Sequence, residues 1–288
     1  MKDYAIVTDS ACDITTEVLK EWGVDTRELT FRFSDTNKEY TNSEMPVKAF
    51  YDKMRAGGVA KTAAVNSETW LQCFEEIIKS GKDVLCLAFS SGLSTTYNSA
   101  RIAAKELSEN YKDAKIIVVD TLCASAGEGL LLRLALNKKD EGASIEDVAD
   151  YVKENIHNIC HWFTVDDLVY LKRGGRISSA AAFFGNMIGI KPVLHVDDEG
   201  HLVNVSKARG RRNAIVSMAD KYTETAIDKE SGLVYISHAD CEEDAKELAR
   251  ILNERHGVNV EIITSVGPVI GAHAGPGTLA LFFVGTTR

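Results

Sequence analysis

A run of hydroxyls, Ser90-Ser91-Gly92-Leu93-Ser94-Thr95-Thr96, follows directly on the apolar stretch Asp83 to Phe89. The pattern predicts a buried strand over Asp83 to Phe89, a turn over Ser90 to Ser94 in which Gly92 is free to take positive φ, and a helix over Thr95 to Tyr111. Such a junction sets hydroxyls beside amide N–H groups that have no partner within the helix, at the positive end of its dipole. A phosphate or carboxylate can sit there. Ser94 acting only as the helix N-cap explains the local sequence equally well.

Other residues invite chemistry. Asp9-Ser10 and Asp120-Thr121 each close an apolar run, as Ser90-Ser91 does. Singly each Asp reads as a turn or helix cap, but three polar strand ends belong to one ligand crevice in an open α/β sheet. His273 stands in Gly267-Pro268-Val269-Ile270-Gly271-Ala272-His273-Ala274-Gly275-Pro276-Gly277, read as a glycine-rich loop that permits close backbone approach. The six cysteines are widely spaced with no CxxC and read as reduced core thiols. Cys12 is a minor candidate nucleophile in a polar turn. Cys160 with His157 and His161 offers too few ligands for zinc, so no metal or other cofactor is expected.

The elements that must position these groups follow in order. Strands are predicted at Tyr4 to Thr8, Thr26 to Phe33 and Lys115 to Val119. Helices are predicted at Thr15 to Trp22, Pro46 to Arg55, Glu68 to Ser80, Ser125 to Asn137 and Ile145 to Ile156, with Lys61 to Asn66 a loop. Alternating strands and helices give an α/β domain over 1–158, with a mostly parallel sheet and helices on both faces. A second α/β domain over 159–288 has a mixed sheet with helices. Lys191 to Val196 and His201 to Val205 form its hairpin, followed by helices at Arg212 to Thr223 and Glu242 to Arg255 and strands at Leu233 to Ser237, Val258 to Thr264 and Leu279 to Val284. Asp166 to Ser178 reads as a helix stopped by Gly174-Gly175 and followed by Arg176. The next helix, Ala180 to Ile188, capped by Ser178 or Ser179, is apolar nearly all round and belongs between layers or against an apolar cavity.

With 33 basic and 42 acidic residues, net charge −9, nucleic acid is not an expected partner. The opening MKDYAIVTDS lacks a signal-peptide pattern and no stretch is apolar enough to span a bilayer. A cytoplasmic protein without stable membrane insertion is expected, with transient membrane contact left open.

Taken together, Val7-Thr8-Asp9-Ser10, Ser90-Ser91-Gly92-Leu93-Ser94 with Thr96-Tyr97, Leu171-Lys172-Arg173-Gly174-Gly175-Arg176-Ile177 and Ile270 to Gly277 resemble the DegV family of bacterial fatty-acid-binding proteins, in the same order from about residue 4 to 286. The resemblance implies two α/β domains holding one long-chain fatty acid in a tunnel between them. It also implies, for some members, service as the acyl-binding subunit of fatty acid kinase, which presents the carboxylate to a separate catalytic subunit that makes acyl phosphate for phospholipid synthesis. On this resemblance the carboxylate contacts fall on Thr62 and Ser94, with the Thr95 N–H close by and His273 reaching in from the second domain. Arg176 and the run Lys207, Arg209, Arg211 and Arg212, the densest basic patch in the chain, fall where the family meets its kinase or phosphate. Two positions depart from the family's usual pattern: Thr62-Ala63-Ala64-Val65 stands for Thr-Ser-Gln-Pro, and Thr95 for a glycine.

Physical chemistry permits such a carrier. Burying about fourteen methylenes at ~0.8 kcal/mol each offers on the order of 11 kcal/mol gross, against several to strip water from a carboxylate. Chain burial wins where hydroxyls, a helix N-terminus and an imidazole keep the head group hydrogen-bonded. Two rival readings use the same residues. A serine hydrolase would pair Ser94 with His273 and Asp9 or Asp120, but Gly-x-Ser-x-Gly is absent. A small phosphorylated-ligand binder would use the serine turn, without either glycine-rich phosphate motif.

Overall fold

The computed structural model describes residues 2–177 and 189–288. The predicted helix at Ala180 to Ile188, with its Ser178 or Ser179 cap, lies outside the described residues.

Strands β1 (Tyr4–Asp9), β2 (Asp25–Arg27), β6 (Asp83–Ala88) and β7 (Ile116–Asp120) form a wholly parallel sheet in the order β2-β1-β6-β7. Strand β6 shows why both faces must be covered. Val84, Cys86 and Ala88 enter one core and Leu85 and Leu87 another, because successive side chains point to opposite sides. Helices α3 (Ser67–Lys79) and α4 (Thr96–Asn110) cover the first face, and α5 (Ala126–Asp140) and α6 (Ile145–Asn155) the second. The short α1 (Thr16–Glu21) joins β1 to β2, with the Thr15 hydroxyl accepting from Val18 N–H at its start.

The second sheet is mixed. It comprises β8 (Ile159–Thr164), β9 (Ile190–Val196), β10 (Leu202–Arg209), β11 (Val234–His238), β12 (Ile262–Ser265) and β13 (Leu279–Val284), in the order β10-β9-β8-β13-β11-β12. Only β11 and β12 pair in parallel. Helices α8 (Arg211–Thr225) and α9 (Glu242–His256) cover the face carrying Leu279, Leu281 and Phe283. Against the opposite face, which carries Ala280 and Phe282, lies α5. That helix is therefore sandwiched between the two sheets, which is why Leu130, Leu131, Leu132 and Ala135 leave it no solvated apolar stripe.

A third, antiparallel sheet, made of β3 (Thr30–Phe33), β4 (Tyr40–Thr41) and β5 (Ala60–Ala63), packs Phe31 and Phe33 on Phe50 of α2 (Val47–Arg55). Val269 and Ala272 of α10 (Pro268–Ala274) join the same core. All strands of the parallel sheet precede residue 158 and all those of the mixed sheet follow it, while both large cores run across that point.

The structure corrects several expectations. Thr26 to Phe33 is two strands in different sheets: the Ser10 hydroxyl takes the Leu29 N–H at 3.0 Å, and the chain leaves the parallel ladder there. Residues 60–63, inside and beside the expected loop, form β5, because pairing with β3 outweighs the weak strand preference of Ala-Lys-Thr-Ala. Ile159 to Thr164 is a fully buried strand that the sequence pattern did not mark, since burial on both faces removes alternation. Gly267 to Gly277 holds a helix rather than a loop alone. Pro268 takes its first turn, Gly275 follows its end, and Gly271 is tolerated inside it because the Tyr51 hydroxyl occupies the space where a Cβ would stand, 2.3 Å away. Within Asp166 to Ser178, the helix α7 spans only Val169–Gly174, and Gly175 ends it at φ 70°. The hairpin is as expected, with a bulge between Asn204 and Ser206.

Candidate functional site

The three polar strand ends do meet, but they hold one another. The Asp9 carboxylate accepts from Ala11 N–H at 3.0 Å and Phe89 N–H at 2.9 Å. Asp120 accepts from Ser91 N–H and Leu122 N–H, and the Thr121 hydroxyl donates to Ala88 O. Asp9 is fully enclosed, and loss of solvation pushes its carboxyl up to about 7 despite those two amides. These groups fix the serine turn in place.

Within that turn the Ser90 carbonyl accepts from Leu93 N–H and Ser94 N–H, while its hydroxyl accepts from Gly92 N–H and donates to Gly200 O at 3.0 Å. Gly200 is the tip of the β9–β10 hairpin. At φ 80°, a Cβ on it would stand 2.3 Å from Ser90 Oγ, and one on Gly92 would stand 2.8 Å from the Gly200 carbonyl. Two glycines thus let backbone meet backbone. Helix α4 begins at Thr96 with Thr95 in the cap position, yet the hydroxyl that accepts from Thr96 N–H, at 3.2 Å, belongs to Ser94 one residue earlier. Ser94 is therefore a cap in function. The Thr95 N–H finds no partner among the described residues.

Beside this turn lies a cavity of about 240 Å³. Its wall is mainly apolar and drawn from both halves of the chain: Leu29, Phe89 and Leu93 from one, Phe163, Val269 and Phe282 from the other. Thr62 on β5, Ser94 and Thr95 before α4, Arg176 after α7 and His273 on α10 all line it. Thr95 is exposed, so the cavity meets solvent on this side.

His273 Nε2 lies 2.7 Å from Thr62 Oγ1. Burial, and then the nearby Arg176 cation, pull its imidazolium down to about 4, so the ring is neutral at neutral pH. The approach depends on Gly174, where a Cβ would stand 2.2 Å from His273 Nδ1. Arg176 is half-buried. Its Nε donates to the Leu93 carbonyl at 3.1 Å and Nη1 to Gly174 O at 2.6 Å, which ties α7 to the serine turn.

Thr62, Ser94, Thr95, His273 and Arg176 are thus brought together, Arg176 as a wall residue of the cavity itself. Arg209 and Arg211 do not line it. Arg211 is held by Asp244 at 2.8 Å, with Asp166 at 3.9 Å, and Arg209 is exposed at the end of β10. Sequence reasoning missed Ser125, Ser237 and His161 in the wall. Ser125 follows the end of β7 and was open to the same crevice argument; His161 sits on the unmarked strand. Ser94, His273, Asp9 and Asp120 are not joined in a hydrolytic relay: Ser94 Oγ pairs with Thr96, His273 with Thr62, and Asp9 and Asp120 with backbone amides.

Five cysteines are buried and Cys241 is half-buried; all are free. Cys12 is sealed from solvent, and burial raises its thiol pKa well above the ordinary range, which removes it as a nucleophile. Cys160 and the adjacent His161 face opposite sides of β8, toward different cores. Among the described residues no group of three or more His, Cys, Asp or Glu side chains could hold a metal ion, and no helix is long and apolar enough to cross a membrane.

Fold and site together define an α/β protein built around an apolar cavity with a hydroxyl, imidazole and guanidinium rim. The chain belongs to the DegV family: residues 3–286 match the family described as "Uncharacterised protein, DegV family". A DegV domain-containing protein of Clostridium perfringens is 44% identical over 291 residues, covering 100% of this chain and 99% of that one. Among solved structures, a DegV lipid-binding protein from Thermotoga maritima is 32% identical with a TM-score of 0.87, covering 99% of both chains. A fatty-acid-binding DegV family protein from Thermus thermophilus is 29% identical with a TM-score of 0.89, covering 99% of this chain and 100% of that one.

Proposed function

We propose that this protein binds one long-chain fatty acid in the cavity, with the carboxylate at Thr62, Ser94, the Thr95 N–H and His273, and that it acts as a carrier. The observation that carries the reading is the pairing of an apolar wall with a cluster of uncharged donors, held together by the Thr62–His273 contact. With the imidazole neutral and its single hydrogen on Nε2, His273 donates to Thr62 Oγ1 and serves the carboxylate through the threonine, whose own hydrogen it frees. Arg176 adds a half-buried positive charge beside the same rim, so the head group keeps both hydrogen bonds and a countercharge when it leaves water. On this reading the chain divides into a 1–158 domain bearing the serine turn and a 159–288 domain closing the tunnel, and it is cytoplasmic.

The carrier presents its carboxylate to a partner kinase for acyl phosphate formation, with Arg209 and Arg211 meeting the partner or its phosphate. Exposure of Thr95 supports this, since the head group then lies where a second protein can reach it. Purification from a bacterial host, denaturing extraction and mass spectrometry are expected to find a bound fatty acid. An empty protein that also fails to take up labelled palmitate or oleate overturns the reading. Ser94→Ala and Thr62→Ala are each expected to weaken acyl binding about 3- to 10-fold, the effect of one hydrogen bond, and to slow acyl phosphate formation with a cognate kinase.

A further inference from the structure

A second set of polar groups belongs to the cavity wall, with no hydrogen bond to the rim. Ser125, at the start of α5, and Ser237, on β11, both line the cavity and both are buried. Ser125 Oγ donates to Asp13 Oδ2 at 2.5 Å and lies 3.0 Å from Ser237 Oγ. Asp13 Oδ1 accepts from Gly267 N–H at 2.9 Å. Two of the three residues hold a backbone that L-amino acids rarely adopt: Asp13 has φ 50°, and Ser125 φ 53° with ψ −147°. Such conformations persist only where the surroundings over-determine them, and they gather at ligand sites.

The hydrogens along this chain have only two consistent orders. With Asp13 ionised, Ser125 donates to it, Ser237 donates to Ser125, and the Ser237 oxygen keeps acceptor capacity alone. With Asp13 protonated the order reverses, and Ser237 has its hydrogen to give. A ligand hydroxyl both donates and accepts, so it completes the chain in either state. A ketone completes it in one, and a methylene in neither.

Resting on the reading of the cavity as an acyl-chain site, we propose that Ser125 and Ser237 form a subsite for a hydroxyl group borne along the chain, so that the preferred cargo is a hydroxylated straight-chain fatty acid. Its carboxylate lies at Thr62 and Ser94 and its hydroxyl on Ser237. The Asp13 trio also links the two halves of the chain, through Gly267 and Ser237. A purely structural tie would be indifferent to where a ligand carries oxygen, and this separates the two roles.

The test is displacement of a bound fluorescent polyene fatty acid from the delipidated full chain. The competitors are one saturated acid and its singly hydroxylated isomers, with the hydroxyl moved stepwise from the carbon beside the carboxylate to the terminal carbon. One isomer, or two adjacent ones, is expected to bind about 3- to 10-fold more tightly than the parent acid, the effect of one hydrogen bond. Ser237→Ala and Ser125→Ala are each expected to abolish the difference between the favoured isomer and the parent acid, whatever the affinity of the parent itself, with circular dichroism and direct binding of the fluorescent probe showing that the variants fold. A parent acid that binds as well as every isomer, or a preference that survives both substitutions, overturns the subsite and leaves the fatty-acid reading standing. Failure of the parent and every isomer to displace the probe overturns both.

Discussion

Glu128, buried on α5, carries a protonation state that its neighbours dictate. Thr8 Oγ1 lies 2.8 Å from Leu87 O and 2.9 Å from Glu128 Oε1. Threonine has one hydrogen, and the Leu87 carbonyl can only accept, so it takes that hydrogen. Glu128 must then donate its own, as a neutral acid. Its other oxygen, Oε2, is enclosed with no partner among the described residues, where a negative charge would be badly placed. Burial and the neighbouring Asp9 accordingly hold its pKa well above 4.5. The sign follows from proton counting. Above pH 4.5 the unfolded chain has lost this proton and the folded chain keeps it, so stability falls as pH rises, by ~1.4 kcal/mol per unit, until the folded-state pKa is passed. In Glu128→Gln the amide donates to Thr8 in the same place but never ionises in either state. Because Glu128 is already uncharged, Asp9 meets the same electrical surroundings. Relative to wild type, the variant is expected to gain ~1.4 kcal/mol for each pH unit across that window. Urea unfolding of the lipid-free chain from about pH 5 to about pH 8 reads this directly. Parallel stability curves for the two proteins would mean that the folded state holds Glu128 ionised, and the argument from the single threonine hydrogen would be wrong.

Gly174→Ala places a methyl carbon on His273 Nδ1 and is expected to push the imidazole off Thr62, weakening fatty-acid affinity at least as much as Thr62→Ala; calorimetric titration compares the two. Gly271→Ala drives a methyl carbon into the Tyr51 hydroxyl and breaks its 2.8 Å bond to Val266 O, with an expected loss of about 1–3 kcal/mol in chemical denaturation. For His273 the folded pKa is depressed to about 4. As pH falls from 6.5 toward 4 the unfolded chain takes up a proton that the folded chain refuses, so stability falls, and His273→Gln is expected to flatten that acid limb. Native-state thiol labelling is expected to reach Cys241 first and the five buried cysteines only on unfolding, read by mass shift against time.

The parallel sheet was legible because β1, β6 and β7 are uninterrupted apolar runs ended by polar residues, and helical periodicity between them leaves few alternatives. The small third sheet was not: Ala60–Ala63 has no strand preference of its own, and Tyr40–Thr41 is two residues long, so only pairing with β3 makes them strands. Helix α10 was hidden by the glycines in and around it; the one inside it, Gly271, makes room for Tyr51, more than two hundred residues earlier in the chain. At the site, Ser94 and His273 announce themselves by composition. Thr62 does not, since a lone threonine in a polar stretch carries no signal, and only the family resemblance pointed to it. The wall role of Arg176 follows from Gly174 and the Leu93 carbonyl, contacts that no spacing rule encodes.

The Thr62–His273 contact joins residues 211 positions apart. During synthesis the threonine leaves the ribosome 211 residues before its imidazole. The rim is thus completed only after all the intervening chain has been made, and a product cut short before His273 retains hydroxyls without the ring that orients them. On the proposed reading, a bound acyl chain would engage only molecules in which these distant segments have docked, and by mass action it would draw the population toward that docked form.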